Sequence, residues 1–174
     1  MFERFSRSAR AAVRGGVLAA TEEGADRLTP EHLLLGVLGN AGTAAFLAAR
    51  GITPESARER VELARRRGGL STSDAEALGD LGIDVDAVVA AVERAHGEGA
   101  LAVPRPRRRS GRVPVAPETK LVLQRSLLEV RELGGGAIED AHLLLAVLRT
   151  GGPAADVLSS AGVTRPVLAA LARA

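Results

Sequence analysis

The chain has 174 residues, enough for one medium domain or for two small domains that share a core. It contains no cysteine, which excludes disulfide frameworks and zinc sites built on thiolates. The formal net charge is only +2, so the pI near 10.2 reflects a small excess of arginine and is weak support for nucleic-acid binding. The only aromatic residues are three phenylalanines, too few to form the stacking surfaces that bind single-stranded nucleic acid.

The first predicted helix follows an N-cap at Ser6 or Ser8 and runs to about Glu23, with apolar residues spaced by three and four. Gly15 and Gly16 fall in its middle, where each costs roughly 1 kcal/mol relative to alanine. This cost is accepted where two helices cross closely, or it marks a local weakness or a hinge.

The second helix begins after Thr29, whose hydroxyl can cap it, with Pro30 at the first helical position, where its missing N–H costs nothing. Its leucine-rich sequence is apolar nearly all round, which predicts a buried helix. A short third helix is predicted over residues 46–49, and a fourth runs from a cap at Thr53 to about residue 67.

The middle of the chain divides into two parts. Residues 70–99 have the pattern of a folded segment, with a helix capped by Asp84 or Asp86. Residues 102–114 contain three prolines among five arginines, which predicts an extended, solvated linker. Contact with an acidic partner surface and contact with nucleic acid are the other two interpretations of these arginines, namely Arg105, Arg107, Arg108, Arg109 and Arg112.

The last part of the chain repeats the first. Residues 28–38 match residues 138–148 at an offset of 110, and both copies contain the run His-Leu-Leu-Leu. Helices are predicted over residues 117–133, 139–149 and 153–161 and from residue 164 to the end. We therefore predict one all-α domain with a first repeat at 1–68, an inserted helix and linker at 69–114, and a second repeat at 115–174.

The two repeats place His32 and His142 at equivalent positions near helix starts. We interpret both as structural histidines that donate to a loop carbonyl. No third ligand lies at a typical spacing for a metal, and no arrangement of side chains indicates catalysis, so we expect neither a metal, a cofactor nor an enzyme. No apolar run is long enough to span a bilayer, and arginines interrupt the N-terminal segment, so we expect a cytoplasmic protein without membrane contact.

The duplicated residues resemble the N-terminal domain of the Clp/Hsp100 unfoldases, in particular the ClpC type. The resemblance lies in Met1 to Ser6, in Glu31 to Gly36 and in the two Gly-Ile/Val pairs after the third helices. In the second copy it also lies in Pro117, Lys120, Leu133-Gly134 and His142 to Leu145. It implies a pseudo-twofold pair of four-helix repeats. It leaves out roughly residues 66–112, where this family has a much shorter connector.

The resemblance also implies a ligand. ClpC-type domains recognise phosphorylated arginine, with a glutamate for the guanidinium and hydroxyl donors for the phosphate. By position, Ser6 and Glu31 form this site in the first repeat, while Ala116 and Ala141 replace the hydroxyl and the glutamate in the second. The alternative interpretation of Glu31 is a first-turn residue that favours the helix dipole.

The same family binds cyclic-peptide antibiotics at a patch between the repeats. The resemblance assigns Phe2, Glu3, Phe5 and Lys120 to this patch. The alternative is that Phe2 and Phe5 close the core.

The chain lacks the phosphate-binding loop of an ATPase, so the resemblance implies a stand-alone docking module. We expect a non-enzymatic partner of Clp protease components, adaptors or tagged substrates, acting as an accessory factor or decoy. The alternatives are a protein that sequesters cyclic peptides and a nucleic-acid-associated regulator that uses the arginine-rich linker.

Overall fold

The structure is a computed structural model that describes residues 2–102 and 112–173, apart from the side chain of Phe2. The described residues form a short 3₁₀ turn at Phe2–Arg4 and ten α-helices. The helices are α1 (Arg7–Glu22), α2 (Pro30–Leu38), α3 (Ala41–Ala48), α4 (Pro54–Arg66), α5 (Thr72–Asp80), α6 (Val85–His96), α7 (Pro117–Leu133), α8 (Asp140–Thr150), α9 (Pro153–Ser160) and α10 (Arg165–Leu171).

The fold is the predicted all-α, duplicated four-helix repeat, with α1–α4 corresponding to α7–α10. The predicted caps agree with the structure: Ser6 caps α1 through a hydrogen bond from the Ala9 N–H, and Asp84 caps α6 in the same way. Two details differ from the predictions. The third helix begins five residues earlier than predicted, at Ala41, and α5 was not predicted as a separate helix.

The two repeats meet through reciprocal backbone contacts. The Ser6 N–H donates to the Ile138 carbonyl at 2.9 Å, and the Ala116 N–H donates to the Leu28 carbonyl at 3.0 Å. The offset of 110 that carries Ser6 to Ala116 also carries Leu28 to Ile138. Each contact is therefore the counterpart of the other with the repeats exchanged, as a twofold relation requires.

The helices α1 and α2 cross closely, which decides between the readings of Gly15 and Gly16. A Cβ on Gly16 would lie 2.8 Å from the His32 carbonyl oxygen, and one on Gly15 would lie 3.0 Å from the Gly36 Cα. No side chain fits at either position without movement of the backbone. The glycines therefore permit a close helix crossing.

The middle segment is held to the repeats by polar contacts. The Arg66 guanidinium of α4 lies 2.6 Å from Glu93 of α6, and the Thr72 N–H of α5 donates to Asp156 of α9 at 3.0 Å. The α5 helix has no buried residue. Hydrogen bonds and ion pairs therefore position α5 more than apolar packing does, whereas α6 also buries Val85 and Val89.

The predicted solvated linker falls mainly on residues 103–111, which lie outside the described residues. For the described end of the linker, the prediction is wrong. Val113 is buried in the core, and the Pro114 carbonyl accepts the Leu28 N–H at 2.8 Å. This end of the linker is held against the first repeat, because its backbone takes part in the contact between the two repeats.

A buried carboxylate joins three helices of the second repeat. Glu129 of α7 has no exposed surface, and its Oε2 accepts from Arg165 of α10 at 2.7 Å. Its Oε1 lies 3.3 Å from the Arg149 guanidinium of α8. A buried charge requires such partners, because its desolvation is costly.

Candidate functional site

The described residues leave a groove of about 1160 Å³ in the first repeat, between the end of α1, the start of α2 and the length of α4. Its floor is apolar, with Leu34 and Ala57 buried and with Leu35 and Val61 partly exposed. Leu63 is 43% exposed at its edge. A groove with an apolar floor and accessible edges suits an extended peptide with alternating apolar and polar side chains.

The rim of the groove carries both charges, mostly in ion pairs. Glu23 lies at the end of α1 with Oε2 at 3.3 Å from His32 Nε2 and Oε1 at 3.7 Å from Arg58 Nε. Glu62 pairs with Arg65 one turn further along α4. These pairs are partly exposed, so each contributes little to stability, and they leave the rim able to rearrange around a ligand.

Two glutamates of the rim differ from these pairs, the exposed Glu59 of α4 and the partly buried Glu31. Glu31 occupies the first turn of α2, and its carboxylate forms no hydrogen bond or ion pair with another described residue. Glu31 therefore offers an unpaired carboxylate to a cationic group that enters the groove.

The structure separates Ser6 from Glu31. Helices α1 and α2 run antiparallel, because Glu23 at the end of α1 contacts His32 at the start of α2, whereas the Ser8 carbonyl at the start of α1 accepts from Asn40 beyond the end of α2. A helix of 16 residues is about 24 Å long. Ser6 therefore lies at the far end of α1 from the groove, and the two predicted residues do not form one site.

Each of these residues instead lies beside the other repeat. The Ser6 N–H binds the Ile138 carbonyl, just before Ala141, and the Ala116 N–H binds the Leu28 carbonyl, just before Glu31. A site that combined a hydroxyl and a carboxylate in this fold would draw them from different repeats. Ser6 thus lies beside Ala141, where a carboxylate would be needed. Glu31 lies beside Ala116, where a hydroxyl would be needed.

The two histidines cap the helices on which they lie. Nδ1 of His32 accepts the Thr29 N–H at 3.1 Å, and Nδ1 of His142 accepts the Glu139 N–H at 3.1 Å. At Nδ1 the contact is therefore acceptance from the N-cap backbone, not the donation to a loop carbonyl that the sequence predicted. An accepting Nδ1 places the proton on Nε2 in the neutral ring. In His142 this buried Nε2 has no hydrogen-bond partner among the residues that the structure describes, while in His32 it faces Glu23.

Burial of His142 makes the stability of the fold depend on pH. Burial lowers the pKa of His142, against the smaller opposing effects of Glu139 and Glu129. The unfolded chain thus takes up the proton first as the pH falls, so the stabilisation is present above about pH 6.5 and decreases below it. We expect the free energy of unfolding, measured with urea, to fall between pH 7.5 and pH 5.5.

The matched variant for this prediction is His142→Gln, because glutamine at the same position accepts the N-cap hydrogen bond but does not titrate. We expect the fall with pH to be smaller in His142→Gln than in the parent chain. An equal pH dependence in His142→Gln and the parent chain would contradict the assignment.

The predicted peptide patch is only partly accessible. Phe5 is buried and belongs to the core, which agrees with the alternative reading of this residue. Glu3 and Lys120 are exposed, and no ion pair joins them among the described residues. The side chain of Phe2 lies outside the described part of the structure.

Several residues of the groove were not predicted from the sequence, notably Leu35, Val61, Leu63 and Arg58. An apolar residue on α4 fits a core as well as a groove, and only the position of α4 against α2 and α9 leaves these side chains accessible.

Across the described helices, none is both long enough and apolar enough to cross a membrane. The same residues contain no group of three or more histidine, aspartate or glutamate side chains suited to a metal.

A family model described as the Clp repeat (R) N-terminal domain matches residues 68–161, more than half of the chain. The chain belongs to the Clp repeat N-terminal domain family. The match includes α5 and α6, so the expectation that the resemblance leaves out residues 66–112 was wrong.

Curated relatives of this Clp repeat domain include chloroplastic ClpC chaperones. It is 33% identical over 165 residues to the chloroplastic chaperone protein ClpC1 of Oryza sativa subsp. japonica, and 32% identical over 165 residues to that of Arabidopsis thaliana. Each alignment covers 93% of this chain and 14% of the relative. The chain therefore spans about one seventh of the length of these proteins.

Solved structures show the same fold. One is the N-terminal domain of the caseinolytic-protease-associated chaperone ClpD from Arabidopsis thaliana, with a TM-score of 0.54 and 21% identity over 99% of this chain and 94% of that one. Another comes from preliminary structural investigations of a malarial protein secretion system, with a TM-score of 0.62 and 11% identity over 98% and 92% of the two chains.

Proposed function

We propose that this Clp repeat domain is a non-catalytic docking module of the Clp system that holds peptide segments of substrates or adaptors in the groove of the first repeat. The observation that carries the proposal is the unpaired, partly buried carboxylate of Glu31 beside an apolar floor. In this position Glu31 pairs with a guanidinium or ammonium group of the peptide, while the floor takes a neighbouring apolar side chain.

Phosphorylated arginine is one ligand of this chemistry. Its guanidinium suits Glu31, and Arg27 and Arg58 line the same groove with cationic groups for a phosphate. Ser6 has no part in this version of the site, because it lies at the other end of α1. The phosphate is thus bound by guanidinium groups in place of a hydroxyl.

The test uses two fluorescent peptides with one apolar residue beside a single arginine, one of them phosphorylated on the arginine. Binding to the complete chain is measured by fluorescence anisotropy. We expect Glu31→Gln to weaken binding of both peptides about tenfold or more, the usual loss for one charge-assisted hydrogen bond. Equal affinity of the parent chain and Glu31→Gln would overturn the proposal.

Glu55→Gln is a matched control. Residues 29–31 and residues 53–55 both read Thr-Pro-Glu at a helix start, and Glu55 does not line the groove. We expect Glu55→Gln to leave peptide binding unchanged while it alters the same helix-dipole interaction. If Glu31→Gln and Glu55→Gln lose similar peptide affinity, the effect comes from helix stability and not from a contact in the groove.

Sequestration of a cyclic peptide has less support, because Phe5 is buried. A nucleic-acid role through the arginine-rich linker depends on residues outside the described ones, apart from Arg112.

A further inference from the structure

Three arginines of α1 lie exposed on one helix without an acidic partner. Arg7, Arg10 and Arg14 are all exposed, and none of their side chains forms an ion pair or hydrogen bond with another described residue. Among the described residues, exposed arginines elsewhere such as Arg94, Arg131 and Arg173 also have no ion pair, but several other arginines do. These are Arg58 with Glu23, Arg65 with Glu62, Arg66 with Glu93, Arg67 with Asp86, and Arg149 and Arg165 with Glu132.

The placement of these cations opposes local helix stability. The first turn of α1 contains Arg7 and Arg10 but no acidic residue, although the helix dipole favours negative charge there. The first turns of α2, α4 and α7 each contain a glutamate. A departure from the local rule that gains no compensating contact within the fold is typical of a functional surface.

The exposed face continues beyond the arginines with apolar residues. At about 100° per residue, Arg7, Arg10 and Arg14 fall within about 60° of one another, and Val17 and Leu18 lie on the same side one turn further on. Val17 is 39% exposed and Leu18 is 58% exposed. The face is therefore basic over two turns and apolar over the next.

The opposite side of α1 provides its contact with the protein. Its buried residues are small and lie against α2, namely Ala9, Ala12, Gly16, Ala19 and Ala20. The basic and apolar face of α1, defined by Arg7, Arg10, Arg14, Val17 and Leu18, is thus free of packing in the described structure.

The second repeat lacks this surface. The residues of α7 that correspond to Arg7, Arg10 and Arg14 are Pro117, Lys120 and Gln124. Leu128, which corresponds to Leu18, is 45% exposed. The apolar end is thus present on both helices, but the row of guanidinium groups is specific to α1.

We propose that the basic and apolar face of α1 docks an acidic amphipathic helix of a partner protein. Carboxylates spaced by three and four residues on the partner pair with the guanidinium groups over about 10 Å, and an apolar side chain covers Val17 and Leu18. A phosphodiester backbone or a lipid headgroup would pair with the arginines but leave Val17 and Leu18 exposed. An acidic amphipathic helix covers both parts of the face, so it is the partner that we propose. This surface is separate from the groove, because none of its residues lines the groove.

The probe is a synthetic helical peptide with three glutamates spaced three and four residues apart and leucines on the next turn of the same face. A second peptide has glutamine at the three positions. We expect the complete chain to bind the glutamate peptide, with amide shifts confined to α1, and to bind the glutamine peptide at least about tenfold more weakly. Absence of binding to the glutamate peptide at about 50 mM salt overturns the proposal.

Two variants test the surface. The triple reversal Arg7→Glu, Arg10→Glu and Arg14→Glu is expected to abolish binding while peptide affinity at the groove is kept. The control reverses Arg94, Arg131 and Arg173, which are exposed elsewhere and change the net charge equally. If the control loses as much affinity as the α1 variant, the attraction is non-specific and the proposal fails.

Leu18→Ser tests the apolar end. We expect this substitution to weaken binding of the glutamate peptide severalfold. An unchanged affinity would show that the apolar end takes no part in binding. Tighter binding of a mixed-sequence DNA duplex or of phosphatidylserine vesicles than of the peptide overturns the choice of a protein partner. If the triple reversal fails to fold, judged by circular dichroism, the triple glutamine substitution replaces it.

Discussion

Substitution of Gly36 by alanine should destabilise the chain by about 3 kcal/mol or more, even though alanine is the better helix former. A Cβ at this position would lie 1.9 Å from the Ala12 carbonyl oxygen and 2.5 Å from the Gly16 backbone nitrogen. Both atoms belong to the main chain, so no change of rotamer relieves the clash. Helices α1 and α2 would have to move apart, and the packing between them would be lost.

The measurement is urea unfolding followed by circular dichroism, and Gly79→Ala is its control. Gly79 is also within a helix, but a Cβ there meets nothing within 4 Å. Gly79→Ala should be neutral or stabilise by up to about 1 kcal/mol. If Gly36→Ala also proves neutral or stabilising, the two helices do not cross as closely as described.

Replacement of Arg165 by methionine should cost about 2 kcal/mol of unfolding free energy. The guanidinium of Arg165 lies 2.7 Å from Oε2 of the fully buried Glu129 and 2.6 Å from Glu132. Its loss leaves a buried carboxylate with Arg149 as its remaining cation. Removal of one partner from a buried pair costs roughly 3–5 kcal/mol, and the value here is lower because Arg165 is partly exposed and Arg149 remains.

A double variant separates this effect from the loss of packing. When Glu129 is also replaced by methionine, no unpaired charge is left, so we expect the Glu129→Met, Arg165→Met chain to recover part of the loss. Arg131→Met, on the exposed side of α7, should change the stability by less than about 0.5 kcal/mol. If the double variant loses more unfolding free energy than the two single variants lose together, a buried charge is not the cause.

The duplication could be predicted because the two copies match residue by residue at a fixed offset. Most helix boundaries could be predicted because they depend on local patterns. The Thr29-Pro30 and Ser6 caps are recognised within one turn of the chain. The helix α5 was missed because it buries no residue and so has no apolar periodicity. Its capping box, in which Ser71 and Asp74 bond to each other's backbone, was the available indication.

The candidate site could be predicted only in part. Glu31 was assigned to a site through the resemblance to ClpC-type domains, and the structure places it on the groove. Its pairing with Ser6 was inferred from their membership of one repeat, but the antiparallel arrangement of α1 and α2 separates them. The direction of neighbouring helices and the accessibility of an apolar side chain depend on tertiary packing, which a local pattern does not contain.

The reciprocal contacts between the repeats have a consequence for how the two halves can differ. The junction is made by peptide N–H and carbonyl groups of residues such as Ser6, Ala116 and Leu28, and these groups are the same whatever side chain is attached. A serine in one copy and an alanine in the other therefore preserve the symmetry of the scaffold equally well. This allows one copy to keep a chemical group that the other has discarded, so that a symmetric framework carries an asymmetric surface.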